Sequence, residues 1–181
     1  MGSEDFLVKN FKDTLNKVAV ERGLNISEEI INYIAEVLSL YYKGIPLYLI
    51  DVVKTTPFQI YKTKGDVSLL LVGLFSEWIN RSNRPLTEKD YIKAGKQNYY
   101  NAYMYLSLHF NDIKFEFPEE LKFRVKNVIS KIDLFKEISE NFEIYTAFLK
   151  DYREENRKIG QIFDIFNEFR EYHLRKIFEN M

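Results

Sequence analysis

Apolar residues recur about every 3.6 positions along almost the whole chain, a pattern that predicts helices. The first helix is predicted over roughly residues 4–22, and Gly23 is the residue expected to end it. Ser27 is a preferred N-cap residue, and the helix that follows it is predicted to end at Gly44. Residues 47–53 are apolar on nearly all sides, which favours a short buried helix. A strand is the alternative there because β-branched residues are frequent.

The segment over residues 65–80 carries the least charge in the chain. Asp66 and Glu77 are its only charged residues. A helix that is apolar on nearly all sides lies among other helices rather than against water. The pattern therefore predicts a buried central helix near residues 65–80.

The remaining elements follow from turn residues and from the same periodicity. They are a loop over 80–85, a helix from a Thr87 cap to about His109, an extended segment over 113–117, and helices from Pro118, over about 140–157 and over about 159–179. The chain contains no linker rich in Gly, Ser or Pro. The sequence predicts an all-α fold in which residues 1–181 form a single helical domain, a compact bundle of about seven helices.

Composition supports this fold and excludes several classes of protein. Gly and Pro number only 7 and 4 of 181 residues, which disfavours a many-stranded sandwich or barrel. The absence of Cys excludes disulfides, thiolate zinc sites and a cysteine nucleophile. The 26 basic and 27 acidic residues nearly cancel, so neither a polybasic membrane anchor nor a globally basic nucleic-acid binder is expected. Few Gln and many Lys and Glu residues are typical of thermophile proteins.

The amino-terminal residues and the longest apolar run bear on location. The chain begins Met-Gly-Ser-Glu-Asp-Phe, without the basic and apolar regions of a signal peptide. The longest uninterrupted apolar run, near residues 69–75, is far shorter than the roughly 18 residues that suggest a membrane span. We therefore expect a cytoplasmic protein that does not enter a membrane.

Asp66, Gly73 and Glu77 form the most informative pattern of the central helix. Their spacings of 7 and 11 positions return to within about 20° of the same helix face. In one interpretation two buried acids line a polar groove. In the other, Asp66 caps the start of the helix and Glu77 faces solvent. A Gly inside an apolar helix usually marks the close approach of another backbone.

The next helix carries a tyrosine stripe that contains a glycine. Tyr91, Gly95, Tyr99 and Tyr103 follow one another at four-residue steps. This stripe predicts tight contact between helices, and a hydrogen bond from a tyrosine to an acid of the central helix would satisfy both buried groups. The alternative is a pocket for a small ligand. The candidate ligand-binding residues are Asp66, Glu77, Tyr91, Tyr99, Tyr103 and His109.

Metal and cofactor chemistry has little support in the sequence. His109 and His173 both lack the Glu three positions earlier that a di-iron helix bundle uses. Glycine-rich phosphate loops and the Gly-x-Ser-x-Gly elbow do not occur either. We predict no metal and no cofactor. His109 is interpreted as a packed or capping residue, with axial haem ligation as the alternative.

Two segments are candidates for binding a partner. The C-terminal helix has an apolar stripe that predicts contact with a protein partner or with a second copy of the chain, unless this helix docks fully on its own core. The stripe includes Phe163, Phe166, Phe169 and Ile177. The second segment is a basic loop that could contact RNA, formed by Arg81, Arg84 and Lys89. Acidic residues flank this loop, as on an ordinary solvated surface, so nucleic acid is not the favoured partner.

Two motifs stand out in the central helix and in the helix after it. They read Gly65-Asp66-Val67-Ser68-Leu69, followed by Gly73-Leu74-Phe75, and Tyr91-Ile92-Lys93-Ala94-Gly95, followed by Tyr99. This order resembles a family of uncharacterised bacterial helical proteins, in which Leu-Gly-Asp-x-x-Leu-Phe-x-x-Gly-Phe-Phe-Pro-Glu precedes Tyr-Tyr-x-x-x-Gly-x-x-Ala-Tyr. The likeness spans roughly residues 62–106, with departures at Leu70, Ser76 and Asp90. It implies a helical fold whose core helices carry these motifs, and it implies no activity.

These observations favour a non-enzymatic helical protein that binds a partner, with self-association as one form of that binding. The alternative is a ligand-binding or enzymatic bundle with an internal polar pocket around Asp66 and the tyrosines. A minority hypothesis is RNA binding through the basic loop. Asp66 in a closed core, hydrogen-bonded to protein groups, would support the first hypothesis, and a water-filled cavity beside it the second.

Overall fold

The computed structural model describes residues 3–42, 56–81, 85–115 and 132–156. These residues contain six helices: α1 (Ser3–Glu21), α2 (Glu28–Tyr42), α3 (Pro57–Leu74), α4 (Ser76–Ile79), α5 (Glu88–Phe115) and α6 (Phe142–Glu155). Residues 132–140 are also helical, and none of the described residues forms a strand. The predicted all-α class is confirmed, and the number of helices is close to the predicted seven.

Three predicted elements lie outside the described residues. They are the short buried helix over 47–53, the helix from Pro118 as far as residue 131, and the C-terminal helix over about 159–179.

Two elements differ from their predicted form. α5 runs to Phe115, so residues 113–115 are helical and the predicted extended segment is wrong there. An alternation over so few residues does not separate a strand from a helix. The central helix is also interrupted at Phe75, where φ is −125° and ψ is 29°. Neither Gly nor Pro stands at this position and the Phe75 side chain is buried, so the residue type at the break does not account for it.

The end of α1 and the start of α2 follow the predicted signals. Gly23 adopts a φ of +64°, in the left-handed region that L side chains rarely enter. Its N–H donates to the carbonyl of Val20 at 3.1 Å, and the N–H of Leu24 donates to the carbonyl of Ala19 at 2.8 Å. This pair of bonds is the Schellman motif. Ser27 Oγ then accepts the backbone N–H three residues later at 3.3 Å and so caps α2.

The start of α5 is fixed by a reciprocal cap between Thr87 and Asp90. The backbone N–H and the hydroxyl of Thr87 donate to Asp90 Oδ2 at 2.7 and 2.9 Å. In return, the N–H of Asp90 donates to Thr87 Oγ1 at 3.3 Å. These bonds, first of all the one from the Thr87 backbone, hold the pKa of Asp90 below its usual value. The predicted Thr87 cap is confirmed.

Contacts between Cα atoms divide the chain into two compact units. One consists of Met1–Val53 with Thr146–Met181, and the other is Lys54–Tyr145. The second of the two boundaries, between Tyr145 and Thr146, falls inside α6. The first unit holds α1 and α2, which pack against each other through Leu15, Val18, Ile30, Ile34 and Leu38, all at most 2% exposed. These residues recur at helical spacing on one face of each helix, in agreement with the apolar periodicity of the sequence.

A hydroxyl pair joins α1 to the last described turns of α6 within the first unit. Thr14 Oγ1 and Tyr152 Oη lie 2.7 Å apart, and the Tyr152 side chain is fully buried. Burial raises the pKa of Tyr152 to about 12, against the opposing effect of its hydrogen bond with Thr14. The Tyr152 phenol is therefore neutral throughout the physiological pH range.

In the second unit α3 packs along α5, and two glycines let the helices approach closely. A Cβ at position 65 would lie 2.9 Å from ring carbons of Tyr99. A Cβ at position 95 would overlap the ring of Phe142 and lie 3.0 Å from the Cβ of Ser68. The predicted close contact at Gly95 is therefore confirmed. These crossings set the position of the side chains described next.

Candidate functional site

Asp66, Tyr99 and Lys62 form a buried polar cluster in the second unit, which we call the acid–tyrosine centre. The hydroxyl of Tyr99 donates to Asp66 Oδ1 at 2.7 Å, and Lys62 Nζ lies 2.6 Å from Asp66 Oδ2. Asp66 and Tyr99 are both 0% exposed, whereas the side chain of Lys62 is 29% exposed. Both carboxylate oxygens of Asp66 therefore accept hydrogen bonds from protein groups inside a closed core.

The acid–tyrosine centre is built by the approach of α3 to α5. Gly65 leaves room for the Tyr99 ring, which also faces the rings of Phe135 and Phe142 with centroids 6.1 Å away in each case. Lys62 lies one helical turn before Asp66, so its long side chain reaches the carboxylate while its ammonium stays near the surface. The predicted hydrogen bond between a stripe tyrosine and an acid of the central helix is present, between Tyr99 and Asp66.

Chemically, the acid–tyrosine centre is arranged to neutralise a buried charge. A buried carboxylate is tolerated when it is paired and hydrogen-bonded, and Lys62 and Tyr99 supply those contacts to Asp66. The interpretation in which Asp66 caps the start of the central helix is wrong, since α3 begins at Pro57 with Thr56 as its N-cap.

The other predicted ligand-binding residues lie in different surroundings. Glu77 is exposed and belongs to α4, beyond the break at Phe75. Tyr91 is buried and Tyr103 half-buried on α5. His109 is exposed, and its ring centroid lies 4.3 Å from that of Tyr105. The structure thus brings Asp66 and Tyr99 into direct contact, whereas Glu77 and His109 lie outside the acid–tyrosine centre.

The predicted partner-binding residues are only partly described. Arg81 and Lys89 are exposed, and Arg84 lies outside the described residues. The apolar stripe of the C-terminal helix also lies outside them, with all four of its named residues: Phe163, Phe166, Phe169 and Ile177.

An open groove with a volume of about 660 Å³ runs beside α5 in the second unit. We call it the α5 groove. One wall is a face of α5, and the other is formed by one residue of the helical stretch 132–140 and one of α6. Its lining residues are Lys89, Ile92, Lys93, Lys96, Gln97, Tyr100, Ser139 and Glu143.

Two contacts hold the walls of the α5 groove together. Ser139 Oγ donates to the backbone carbonyl of Lys96 at 2.9 Å. Lys96 Nζ lies 3.1 Å from Glu143 Oε1, and these side chains are 40% and 64% exposed. An exposed pair of this kind contributes at most about 1 kcal/mol, so the Ser139 bond and the packing of Phe142 against Gly95 contribute more to the shape of the groove.

The α5 groove is positively charged and ends in aromatic rings. Its three lysines and one glutamate give it a net charge of +2. Tyr100 is 45% exposed, and its ring centroid lies 5.9 Å from that of Tyr103. The ammonium of Lys136 lies 5.9 Å from the centre of the Tyr103 ring, a cation–π distance. The surface therefore combines positive charge with exposed aromatic area.

The α5 groove was not predicted from the sequence, although the residues of one of its two walls share a recognisable spacing. Lys89, Lys93, Lys96 and Tyr100 follow at spacings that return to one face of a helix. The prediction for this helix concerned the tyrosine stripe and its contact with another helix instead. The opposite wall could not be found, because Ser139 and Glu143 lie more than 40 residues away along the chain from Lys96 and reach α5 only through tertiary packing.

The described parts of the chain contain no group of three or more His, Cys, Asp or Glu residues placed to hold a metal ion. Their helices also lack the combination of length and apolar character that a membrane crossing requires.

Comparisons with known proteins leave the resemblance stated above as a prediction. No protein-family model, curated protein or solved structure matches the chain.

Ser68 provides a first test of how α3 packs against α5. Its hydroxyl is fully buried, and none of the described residues gives Ser68 Oγ a hydrogen-bond partner. A buried hydroxyl without a partner costs about 1–3 kcal/mol, and Ala is the better helix former. We therefore expect Ser68→Ala to raise the free energy of unfolding by about 1 kcal/mol, measured by urea denaturation followed by circular dichroism.

Ser107→Ala on the exposed side of α5 is the control for this prediction, since it changes only helix propensity and should gain about 0.5 kcal/mol. A loss of stability in Ser68→Ala would show that the Ser68 hydroxyl makes a favourable hydrogen bond.

Proposed function

We propose that this is a non-enzymatic helical protein that binds a partner protein, and that the partner contact is the α5 groove. The observation that carries the proposal is the contrast between the two polar sites. The acid–tyrosine centre is enclosed, with Asp66 at 0% exposure, whereas the α5 groove is open and lined by charged and aromatic side chains.

The size and chemistry of the α5 groove support this proposal. A volume of about 660 Å³ lies within the range typical of binding clefts, roughly 300–1,000 Å³. Tyrosine is enriched at protein interfaces because it combines a large apolar area with a polar end, and Tyr100 presents both to solvent.

The walls of the α5 groove are held in place by packing, which also favours binding. Phe142 is 0% exposed and lies against Gly95. Each of these two residues immediately precedes a groove residue in the sequence, Glu143 and Lys96 respectively. Ser139 is bonded to the backbone of α5 rather than to a mobile side chain. A preformed surface loses little conformational entropy when a partner binds, so a modest contact area suffices for measurable affinity.

A selection from a random-peptide library displayed on phage tests the proposal directly. The library is selected on the wild-type protein, and enriched peptides are then measured on Gln97→Trp, in which an indole occupies the groove without any change of charge. Gln97 is exposed, and its side-chain amide donates to Asn101 within the same helix at 2.9 Å, so the substitution should be tolerated. We expect enriched peptides to lose at least about tenfold in affinity for Gln97→Trp.

Asn10→Trp is the matched control, because Asn10 is an exposed amide on α1. Peptides that bind wild type, Asn10→Trp and Gln97→Trp equally would place the binding surface elsewhere and refute the proposal. A selection that enriches no peptide would refute it as well.

A further inference from the structure

We infer that the α5 groove takes an acidic segment of its partner, with two carboxylates placed about 6 Å apart and an apolar side chain beside them. This inference rests on the proposed function and names the chemistry of the partner.

The positions of the lysines define the charge pattern of the segment. Lys96 already has a carboxylate partner in Glu143, at 3.1 Å. Lys89 and Lys93 are exposed and lie one helical turn apart on α5, about 6 Å along the axis. Carboxylates at i and i+4 of a helix, or at i and i+2 of an extended segment, have a matching separation.

The acidic residues near this lysine pair do not fill the groove. Asp90 accepts two hydrogen bonds from Thr87 and so belongs to the helix cap, although the charge of Lys93 also contributes to lowering its pKa. Glu143 lines the other wall beside Lys96. Glu88 and Asp90 stand beside Lys89 in the sequence but are not among the lining residues. The lining itself therefore keeps an excess of positive charge at its lysine end, which an acidic segment would complement.

The apolar side chain of the partner segment is inferred from Ile92 and Tyr100, which line the groove together with the lysines. Tyr100 exposes 45% of its surface to water. Tyr100 lies about 10 Å beyond Lys93 along the α5 axis. An aliphatic or aromatic residue two positions beyond the second carboxylate lies on the same side of an extended segment, so it would cover this surface while the carboxylates meet Lys89 and Lys93. Buried apolar contacts contribute most of the affinity in such interfaces, and charges contribute specificity and association rate.

An acidic protein segment fits the α5 groove better than a nucleic acid does. A nucleic acid carries a phosphate at every nucleotide, so a strand that follows the groove would bring phosphate close to Glu143.

Fluorescence anisotropy with defined probes tests the inference. The probe is a fluorescein-labelled peptide of twelve residues made of two Glu-Ser-Glu-Ser-Phe-Ser repeats, in which the Glu and Phe side chains share one face of an extended segment. The comparison probes are the same peptide with Gln for Glu and a labelled oligouridylate of twelve nucleotides. We expect the Glu peptide to bind at least about tenfold more tightly than the Gln peptide and more tightly than the oligonucleotide, with an affinity that falls as salt is raised.

Charge reversal locates the binding. Lys89→Glu with Lys93→Glu should weaken binding of the Glu peptide at least about tenfold. Lys9→Glu with Lys17→Glu makes the same change of net charge at exposed positions of α1 and should leave the affinity within about twofold. If the first double variant has a lower melting temperature than wild type, Lys93→Gln alone carries the test, with an expected loss of about threefold.

The inference is overturned if the Glu peptide fails to bind, if both double variants weaken it equally, or if the oligonucleotide binds more tightly and depends on Lys89 and Lys93. Enriched library peptides that are neutral and bind Gln97→Trp more weakly than wild type would overturn the inference of an acidic segment while leaving the proposed function intact. Insensitivity of all peptides to Gln97→Trp would instead remove the proposed function.

Discussion

Replacing Asp66 with alanine is expected to lower the free energy of unfolding by about 3 kcal/mol. The Tyr99 hydroxyl is fully buried and would lose the oxygen to which it donates at 2.7 Å. Lys62 would lose its carboxylate partner, but its side chain is 29% exposed and can turn toward water, which limits that part of the cost. The expected value therefore lies at the lower end of the range for breaking a buried ion pair.

Urea denaturation followed by circular dichroism measures the loss, and hydrogen exchange of α3 amides shows whether it is concentrated in that helix. Glu140→Ala removes an exposed carboxylate from the same unit and should change stability by less than about 0.5 kcal/mol. Asp66→Asn keeps an acceptor for Tyr99 and should fall between wild type and Asp66→Ala. An Asp66→Ala protein as stable as wild type would mean that the acid–tyrosine centre does not stabilise the fold and would favour a binding or catalytic role for Asp66.

The second large effect is expected at Gly95. A side chain there would overlap the Phe142 ring and press on Ser68, whose Cβ would be 3.0 Å from the new Cβ. Overpacking of this kind costs about 3 kcal/mol, and the gain in helix propensity from removing a glycine returns about 1 kcal/mol. Gly95→Leu should therefore lose about 2 kcal/mol in urea denaturation.

The partner of the overlap can be identified by a double-mutant cycle. Phe142→Ala leaves a cavity beside Gly95, and Gly95→Leu can fill part of it, so the double variant should be more stable than the sum of the single losses predicts. Ser107→Leu places the same side chain on the exposed face of α5 and should be nearly neutral. Additive losses in the cycle would contradict the close approach of α6 to Gly95.

The elements whose signals are local could be predicted from the sequence. Gly23, Ser27 and Thr87 each act on backbone groups within a few residues, so their roles follow from residue type and position alone. The length of α5 and the break at Phe75 were not predictable in the same way. Both depend on what packs against the helix, and a window of sequence does not contain that information.

The candidate site also has features that could be predicted from the sequence and features that depend on tertiary packing. Helical periodicity placed Asp66 on a buried face of the central helix and Tyr99 on a buried face of the next helix. Their contact was predicted because a phenol can donate a hydrogen bond to a carboxylate. Glu77 shared the predicted face of Asp66, but the break at Phe75 puts it in another helix with an exposed side chain. The α5 groove depends on Ser139 and Glu143 lying beside Lys96, a juxtaposition that requires the fold itself.

The order of the two units along the chain has a consequence for synthesis on the ribosome. The hydrogen bond between Tyr99 and Asp66 joins residues 33 positions apart, whereas that between Thr14 and Tyr152 joins residues 138 positions apart. At a translation rate of roughly 5–20 residues per second, Tyr152 is added about 7–30 s after Thr14. During that interval α1 and α2 lack the residues of α6 that belong to their own unit, and the inserted segment Lys54–Tyr145 is synthesised in full first. The nascent pair α1 and α2 therefore lacks its contact with Tyr152 during that interval and exposes apolar surface to which a chaperone could bind.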